Sequence, residues 1–157
     1  MNKNYLNIYN NLIKLTRNKN IFENLSKQET FSDRLIILML HFAFFIKLYK
    51  KKENKDEFQD LHDFFFKQLE LSIREIGYGD VSINKKMKEY VNTFYFIIKK
   101  IDIWKDISYN EKMKFLSNLL NINENSNFFI EYFDKYVNFL ENNTFIYFTK
   151  DVIKHNF

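Results

Sequence analysis

Only two glycines, Gly77 and Gly79, occur in 157 residues, and there is no proline. Tight hairpin turns draw on both residue types, glycine for positive φ and proline for a preset φ. Their scarcity argues against a β-rich fold and leaves the helix as the main element. The two glycines fall together in Arg74-Glu75-Ile76-Gly77-Tyr78-Gly79-Asp80, between two long stretches of helical periodicity. The chain is therefore expected to be all-α, with residues 1–157 forming one compact bundle of about six to seven helices. A tight Gly-x-Gly hinge would join two of the central ones. The length suits one domain with a substantial core.

The periodicity predicts a first helix over residues 3–17, with Tyr5, Ile8, Tyr9, Leu12, Ile13 and Leu15 near one side, and a short turn over 21–25. Ser32 and Asp33 predict the start of a long helix reaching about Lys51, Ser32 capping the free amides and Asp33 meeting the positive end of the dipole. Leu35, Leu38, Met39, Phe42, Phe45, Ile46 and Tyr49 mark one face of that helix, but Ile36, Ile37, Leu40, Ala43 and Phe44 make the rest apolar as well. A helix apolar all round is central in the core or offers a partner surface, and the central position is the expectation. Residues 54–76 form the next helix, with Phe58, Leu61, Phe65, Leu69, Ile73 and Ile76 on one face. Gly77 ends it, because a left-handed residue there costs most side chains about 1–2 kcal/mol and glycine almost nothing. Ser82 is the candidate cap for a helix over 83–101, striped by Met87, Tyr90, Val91, Phe94, Ile98 and Ile101. Further helices are expected over 109–120, 127–140 and 145–153, separated by Asn-rich breaks.

Without cysteine there is no disulfide, thiolate nucleophile or cysteine-based metal site, and a reducing compartment is the natural setting. The net charge of +4 is too mild for a dedicated nucleic-acid binder. Its distribution is uneven: eleven basic and four acidic residues up to Lys55 give +7, peaking at Lys50-Lys51-Lys52. Asn, Lys, Ile and Phe dominate, as in an AT-rich coding sequence. Against 21 lysines the three arginines, Arg17, Arg34 and Arg74, stand out, and a guanidinium kept where lysine is the easy choice suggests planar, multi-donor bonding. The first thirty residues carry no continuous hydrophobic segment, and the apolar run 35–46 falls short of the roughly 20 residues that span a bilayer. A cytoplasmic protein is expected.

Few residues of the sequence stand at spacings that support chemistry. Gly77-Tyr78-Gly79-Asp80 matches the core of potassium-channel selectivity filters, but those need a pore between spanning helices, and the flanks here are charged and amphipathic. His41, His62 and His155 are scattered, and no Glu-x-x-His pair for a di-iron bundle exists. His41 reads as a satisfied core or partner-facing residue. Asp56, Asp60 and Asp63 share a helix face, a solvated surface or a dock for a basic partner. Two glycines cannot build phosphate loops or nucleophile elbows. No catalytic, metal or cofactor site is expected. Around the hinge, Glu70 precedes Arg74 by four residues in the favourable orientation, and a bond from Arg74 to Asp80 across the turn would fix the interhelical angle. Lys85, Lys86, Lys88, Lys99 and Lys100 make the following helix basic on its outer side, where they are ordinary surface lysines or contacts to RNA phosphates or anionic lipids.

At this hinge the sequence resembles the ubiquinol–cytochrome c chaperone family. The resemblance is carried by Leu71-Ser72-Ile73-Arg74-Glu75-Ile76-Gly77-Tyr78-Gly79-Asp80, then Lys85-Lys86-Met87-Lys88 and Phe94-Tyr95. Upstream, Thr16-Arg17, Phe31-Ser32-Asp33-Arg34 and Leu40-His41 stand where the family has an arginine before its loop, an arginine at the start of its long helix and a Leu-His pair within it. The resemblance covers about residues 5–100; one departure is Phe96-Ile97, where the family continues with Gly-Arg. Residues 105–157 show no family pattern. The resemblance implies a non-enzymatic assembly factor that binds newly synthesised cytochrome b and supports biogenesis of respiratory complex III. Its implied surroundings are the ribosome exit region and the inner-membrane surface, on the cytoplasmic face or in a mitochondrial matrix, with a small helper protein as a further partner. The candidate partner-binding or hinge residues are Arg34, His41, Arg74, Glu75, Gly77, Tyr78, Gly79, Asp80, Lys85, Lys86, Lys88 and Tyr95. The alternatives are a ribosome- or RNA-associated protein, or a peripheral membrane-binding one, without that client.

Overall fold

Twelve of the twenty residues of the helix Phe31–Lys50 are buried, on every side of it, so the chain has to wrap around this helix. The computed structural model describes residues 3–25, 31–50, 55–122 and 126–150. The helices are α1 (Lys3–Thr16), α2 (Lys19–Glu23), α3 (Phe31–Lys50), α4 (Lys55–Ile76), α5 (Asp80–Asp102), α6 (Tyr109–Leu120) and α7 (Ser126–Asn142). Short 3-10 helices cover Trp104–Asp106 and Phe145–Thr149. Among the described residues there is no strand. The fold is an all-α bundle in which α3 packs against α1, α4, α5, α6 and α7.

Aromatic rings knit this core. Phe42 of α3 stacks on Phe65 of α4 at 4.0 Å and lies 5.4 Å from Phe94 of α5. On another side, Phe44 stacks on Phe133 of α7 at 5.3 Å and meets the edge of Trp104. Such pairs add roughly 0.5–1.5 kcal/mol each beyond the area they bury. Polar ends are satisfied across elements. The Tyr49 hydroxyl donates to the carbonyls of Leu140 and Asn143, and Trp104 Nε1 donates to Asp134 Oδ1 at 3.0 Å. Asn11, buried on α1, donates to the carbonyls of Phe148 and Lys150, which holds the chain beyond α7 against the first helix.

Several helix ends differ from the sequence expectation. Ser32 lies inside α3, one residue after Phe31, so it does not cap; Asp33 does stand in the first turn. Likewise Ser82 lies within α5, which begins at Asp80 with Gly79 as its capping position. The turn needs only three residues, and Asp80 brings its charge to the first free amides, so the helix starts before the serine is reached. The expected helix over 145–153 is a 3-10 helix ending at Thr149. Lys51, Lys52, Asn54, Ile153 and His155 lie outside the described residues. The buried stripe of α5 runs through Ile83, Phe94, Ile97 and Ile101, leaving Met87, Tyr90, Val91 and Ile98 half-buried. Ile76, expected on the buried face of α4, is 53% exposed at the last position of the helix, while Leu69 and Ile73 on the preceding turns are buried.

Candidate functional site

Gly77 adopts φ +104°, a region that L side chains rarely enter, and its N–H donates to the Arg74 carbonyl at 3.0 Å. That residue reverses the chain. Gly79 is different: its φ of −75° and ψ of 162° are ordinary extended values, and its carbonyl accepts from Ile83 N–H to open α5. A Cβ built on either glycine meets nothing within 4 Å. The turn is thus tight because of one glycine and bare at both.

Arg74 braces it. Its Nη1 donates to Asp80 Oδ1 at 2.6 Å and its Nη2 to Glu70 Oε1 at 3.0 Å, so one guanidinium joins the end of α4 to the start of α5. The two carboxylates, Asp80 foremost, raise the Arg74 pKa further above its ordinary value. Because all three side chains face solvent, water and salt screen the attraction, and its role is geometric. Two separate nitrogens serve two separate carboxylates, which a lysine ammonium matches poorly.

Around this brace the surface is both apolar and basic. Ile76, Tyr78 and Val81 are 53%, 42% and 86% exposed. Lys86 Nζ lies 4.6 Å from the centre of the Tyr78 ring, a cation–π contact, while Glu75, Lys85 and Lys88 are exposed nearby in sequence. The structure therefore brings together Arg74, Glu75, Gly77, Tyr78, Gly79, Asp80 and Lys86 at one turn, with Lys85 and Lys88 on the first turns of α5. Tyr95 sits fifteen residues along α5 from Asp80, roughly 22 Å of rise away, and stacks on His62 at 6.1 Å. It does not join the hinge. The exposed Ile76 and Val81 were not marked in the sequence. Val81 could have been found as an apolar residue off the α5 stripe, but Ile76 kept the period of its own helix and gave no warning.

Arg34 and His41 belong elsewhere. Arg34, on the first turn of α3, lines a groove of about 200 Å³ together with Arg17 of the segment after α1. His41 is wholly buried at the heart of α3, so of its two expected places it takes the core and not a partner-facing surface. The Ile37 carbonyl accepts from Nδ1 at 2.7 Å, which leaves Nε2 to accept from the Tyr132 hydroxyl at 2.6 Å. Burial lowers the imidazole pKa to about 4, against a smaller opposing effect of the Ile37 bond. Tyr132 and Tyr136 are pushed well up for the same reason, so all three groups are neutral at pH 7. Tyr136 in turn donates to the His41 carbonyl at 2.9 Å. This is a packing network, closed to solvent.

Among the described residues no helix is long and apolar enough to cross a membrane. The ubiquinol–cytochrome c chaperone family matches the chain over residues 23–106, a segment that holds α3, α4, the hinge, α5 and the buried Trp104. No curated protein and no solved structure matches it.

Proposed function

The chain belongs to the ubiquinol–cytochrome c chaperone family, and we propose that it is a non-catalytic assembly chaperone that binds newly made cytochrome b and supports biogenesis of ubiquinol–cytochrome c reductase. The observation that carries this reading is the position of the hinge: it lies inside the matched segment and holds an apolar, basic tip out to solvent. A chaperone needs a surface for apolar client segments that does not collapse onto itself. Ile76, Tyr78 and Val81 supply apolar contact, Arg74 keeps the two helix ends in register, and the bare Gly77–Gly79 backbone lets a partner chain approach closely. Gly79 is informative here, since its own φ and open surroundings give the fold no need for glycine. Lys85 and Lys88 suit the anionic setting of such a client, ribosomal RNA at the exit region or the membrane surface, in the cytoplasm or an organellar matrix.

Deletion of the protein is expected to lower assembled complex III while other respiratory complexes stay normal; unchanged complex III would end this reading. A photocrosslinker at Tyr78 is expected to capture cytochrome b during its translation, and one at exposed Asp60 is not. The same lysines favour a second reading, a ribosome- or membrane-associated protein without that client. Salt-sensitive co-sedimentation with ribosomes, or binding to anionic but not neutral vesicles, with no crosslink to cytochrome b, would select it.

A further inference from the structure

We propose that the α4–α5 hinge is a membrane anchor, which sinks Ile76, Tyr78 and Val81 into the headgroup–acyl boundary of an anionic bilayer and leaves Lys85, Lys86 and Lys88 among the headgroups. The inference concerns the tip that meets the client in the chaperone reading, and rests on that reading only for the nearness of a membrane. The three apolar side chains are 53%, 42% and 86% exposed, and Val81 is the most exposed large apolar residue among those described. They stand together at the closed end of a helical hairpin, so they form one apolar point.

Shape selects the occupant. A Cβ built on Gly77 or Gly79 meets nothing within 4 Å, and none of residues 74–82 lines the grooves between α1, α3 and α4 or between α5 and α6. The tip is convex. A convex apolar point cannot enclose a peptide, and a folded partner would need a hollow already shaped for it; a fluid lipid interface opens around it. Spacing selects the depth. Lys85 and Lys88 follow Val81 by four and seven residues, on the same exposed side of α5. Their backbones therefore lie roughly 6 and 10 Å behind it, at 1.5 Å per residue. An interfacial element sinks its apolar side by roughly 5–10 Å, which leaves both ammonium groups at headgroup level. Lys86 Nζ, 4.6 Å from the centre of the Tyr78 ring, joins them there, and tyrosine itself suits the boundary, with an apolar ring and a polar end. Charge selects the lipid. Arg74 holds Glu70 and Asp80. Between residues 67 and 89 that leaves Glu75 and Glu89 against Lys67, Lys85, Lys86 and Lys88, a positive balance that anionic headgroups answer. RNA phosphates would answer it too, but they offer the aliphatic Ile76 and Val81 nothing to bury against.

The test is flotation of the full chain with vesicles of phosphatidylcholine alone or with about one-third phosphatidylglycerol. It is joined to dye labelling at introduced cysteines, since the chain has none of its own. Binding to the anionic vesicles is expected, and Ile76→Ser and Val81→Ser should each weaken it about fivefold with every lysine in place. Lys85→Gln combined with Lys88→Gln should weaken it by about tenfold or more. All four positions are exposed, so the urea midpoints should stay at the wild-type value. On the vesicles a polarity-sensitive dye on Val81→Cys should shift to the blue and escape quenching by aqueous iodide. One on Ile103→Cys, exposed roughly 33 Å away beyond the other end of α5, should do neither. Absence of binding to anionic vesicles, binding that ignores Ile76→Ser and Val81→Ser, or equal shielding of the two dyes overturns the proposal. So does tighter binding to an RNA hairpin than to vesicles, unchanged in Val81→Ser, which would give the tip to nucleic acid. No vesicle binding together with capture of cytochrome b from Tyr78 would sink the anchor and keep the chaperone reading; an inserted dye with no capture would do the reverse.

Discussion

Gly77 and Gly79 stand two residues apart and have different duties. At φ +104° Gly77 holds a conformation that any Cβ opposes, although space around it is open. Gly77→Ala is therefore expected to cost about 1–2 kcal/mol through backbone strain alone, read as a lower urea midpoint at unchanged slope. Gly79, with φ −75° at the capping position of α5, meets no such barrier. Gly79→Ser is expected to change stability by less than about 0.5 kcal/mol or to raise it slightly, since serine caps at least as well and loses less freedom on folding. If both variants lose the same stability, the turn does not depend on Gly77 in the way its φ implies. His41 gives a prediction about pH. Its folded pKa of about 4 lies below the ordinary 6.5, so between these values the unfolded chain binds more protons and stability rises with pH. The contribution is complete above pH 6.5 and is lost as pH falls toward 4. At pH 5 this amounts to about 2 kcal/mol relative to pH 7.5, a loss that His41→Gln should remove. Urea titrations of both proteins at the two pH values check it, and equal pH dependence in the variant would refute it.

Between elements, the α4–α5 junction shows which features a sequence exposes and which it hides. The position of the turn and the pairing of Arg74 with Glu70 and Asp80 were legible, because glycine between two periodic segments ends the first helix, Glu70 stands four residues before Arg74 on one helix, and Asp80 stands across the turn from it. The start of α5 was not: Ser82 has the chemistry of a cap, but capping depends on where the chain has finished turning, and Asp80 is already helical. Nor was the exposure of Ile76, since periodicity tells which side of a helix is apolar and not where its neighbour stops. Arg34 and His41 were legible as unusual residues, yet their separation from the hinge is a matter of tertiary packing that local spacing does not encode. The brace itself makes a prediction at this scale. In Arg74→Lys the helices keep their cores, so far-UV dichroism and the thermal midpoint should stay near wild type. The spread of distances between spin labels at the exposed positions Lys67 and Lys99 should widen, because one ammonium cannot hold both carboxylates in the same fork. A distribution as narrow as wild type would mean that packing alone sets the angle.

At the scale of the molecule, the family segment and the folding unit have different limits. The match ends at residue 106, while α3, the helix at the centre of the bundle, packs against α6 and α7 as well as α1, α4 and α5. From α7 come Tyr132, which bonds His41, Tyr136, which bonds the His41 carbonyl, Phe133, which stacks on Phe44, and Asp134, which accepts from Trp104. The resemblance was silent about residues 105–157, and their role could not be read from sequence because it consists of contacts to a helix some 90 residues earlier. Remove them and the ring nitrogens of His41 and Trp104 exchange these hydrogen bonds for water, a loss of roughly 0.5–1.5 kcal/mol each. Phe44 and its neighbours also face water, and losing one such ring contact by Phe133→Ala is expected to cost roughly 3–5 kcal/mol. Together these losses reach the whole stability of an ordinary domain, about 5–15 kcal/mol. A chain ending at residue 106 is therefore expected to lack a cooperative urea transition and to be digested quickly by trypsin, while the full chain resists. A truncated chain that unfolds cooperatively would show that α1–α5 suffice, and that α6 and α7 are an addition to the chaperone body instead of its second wall.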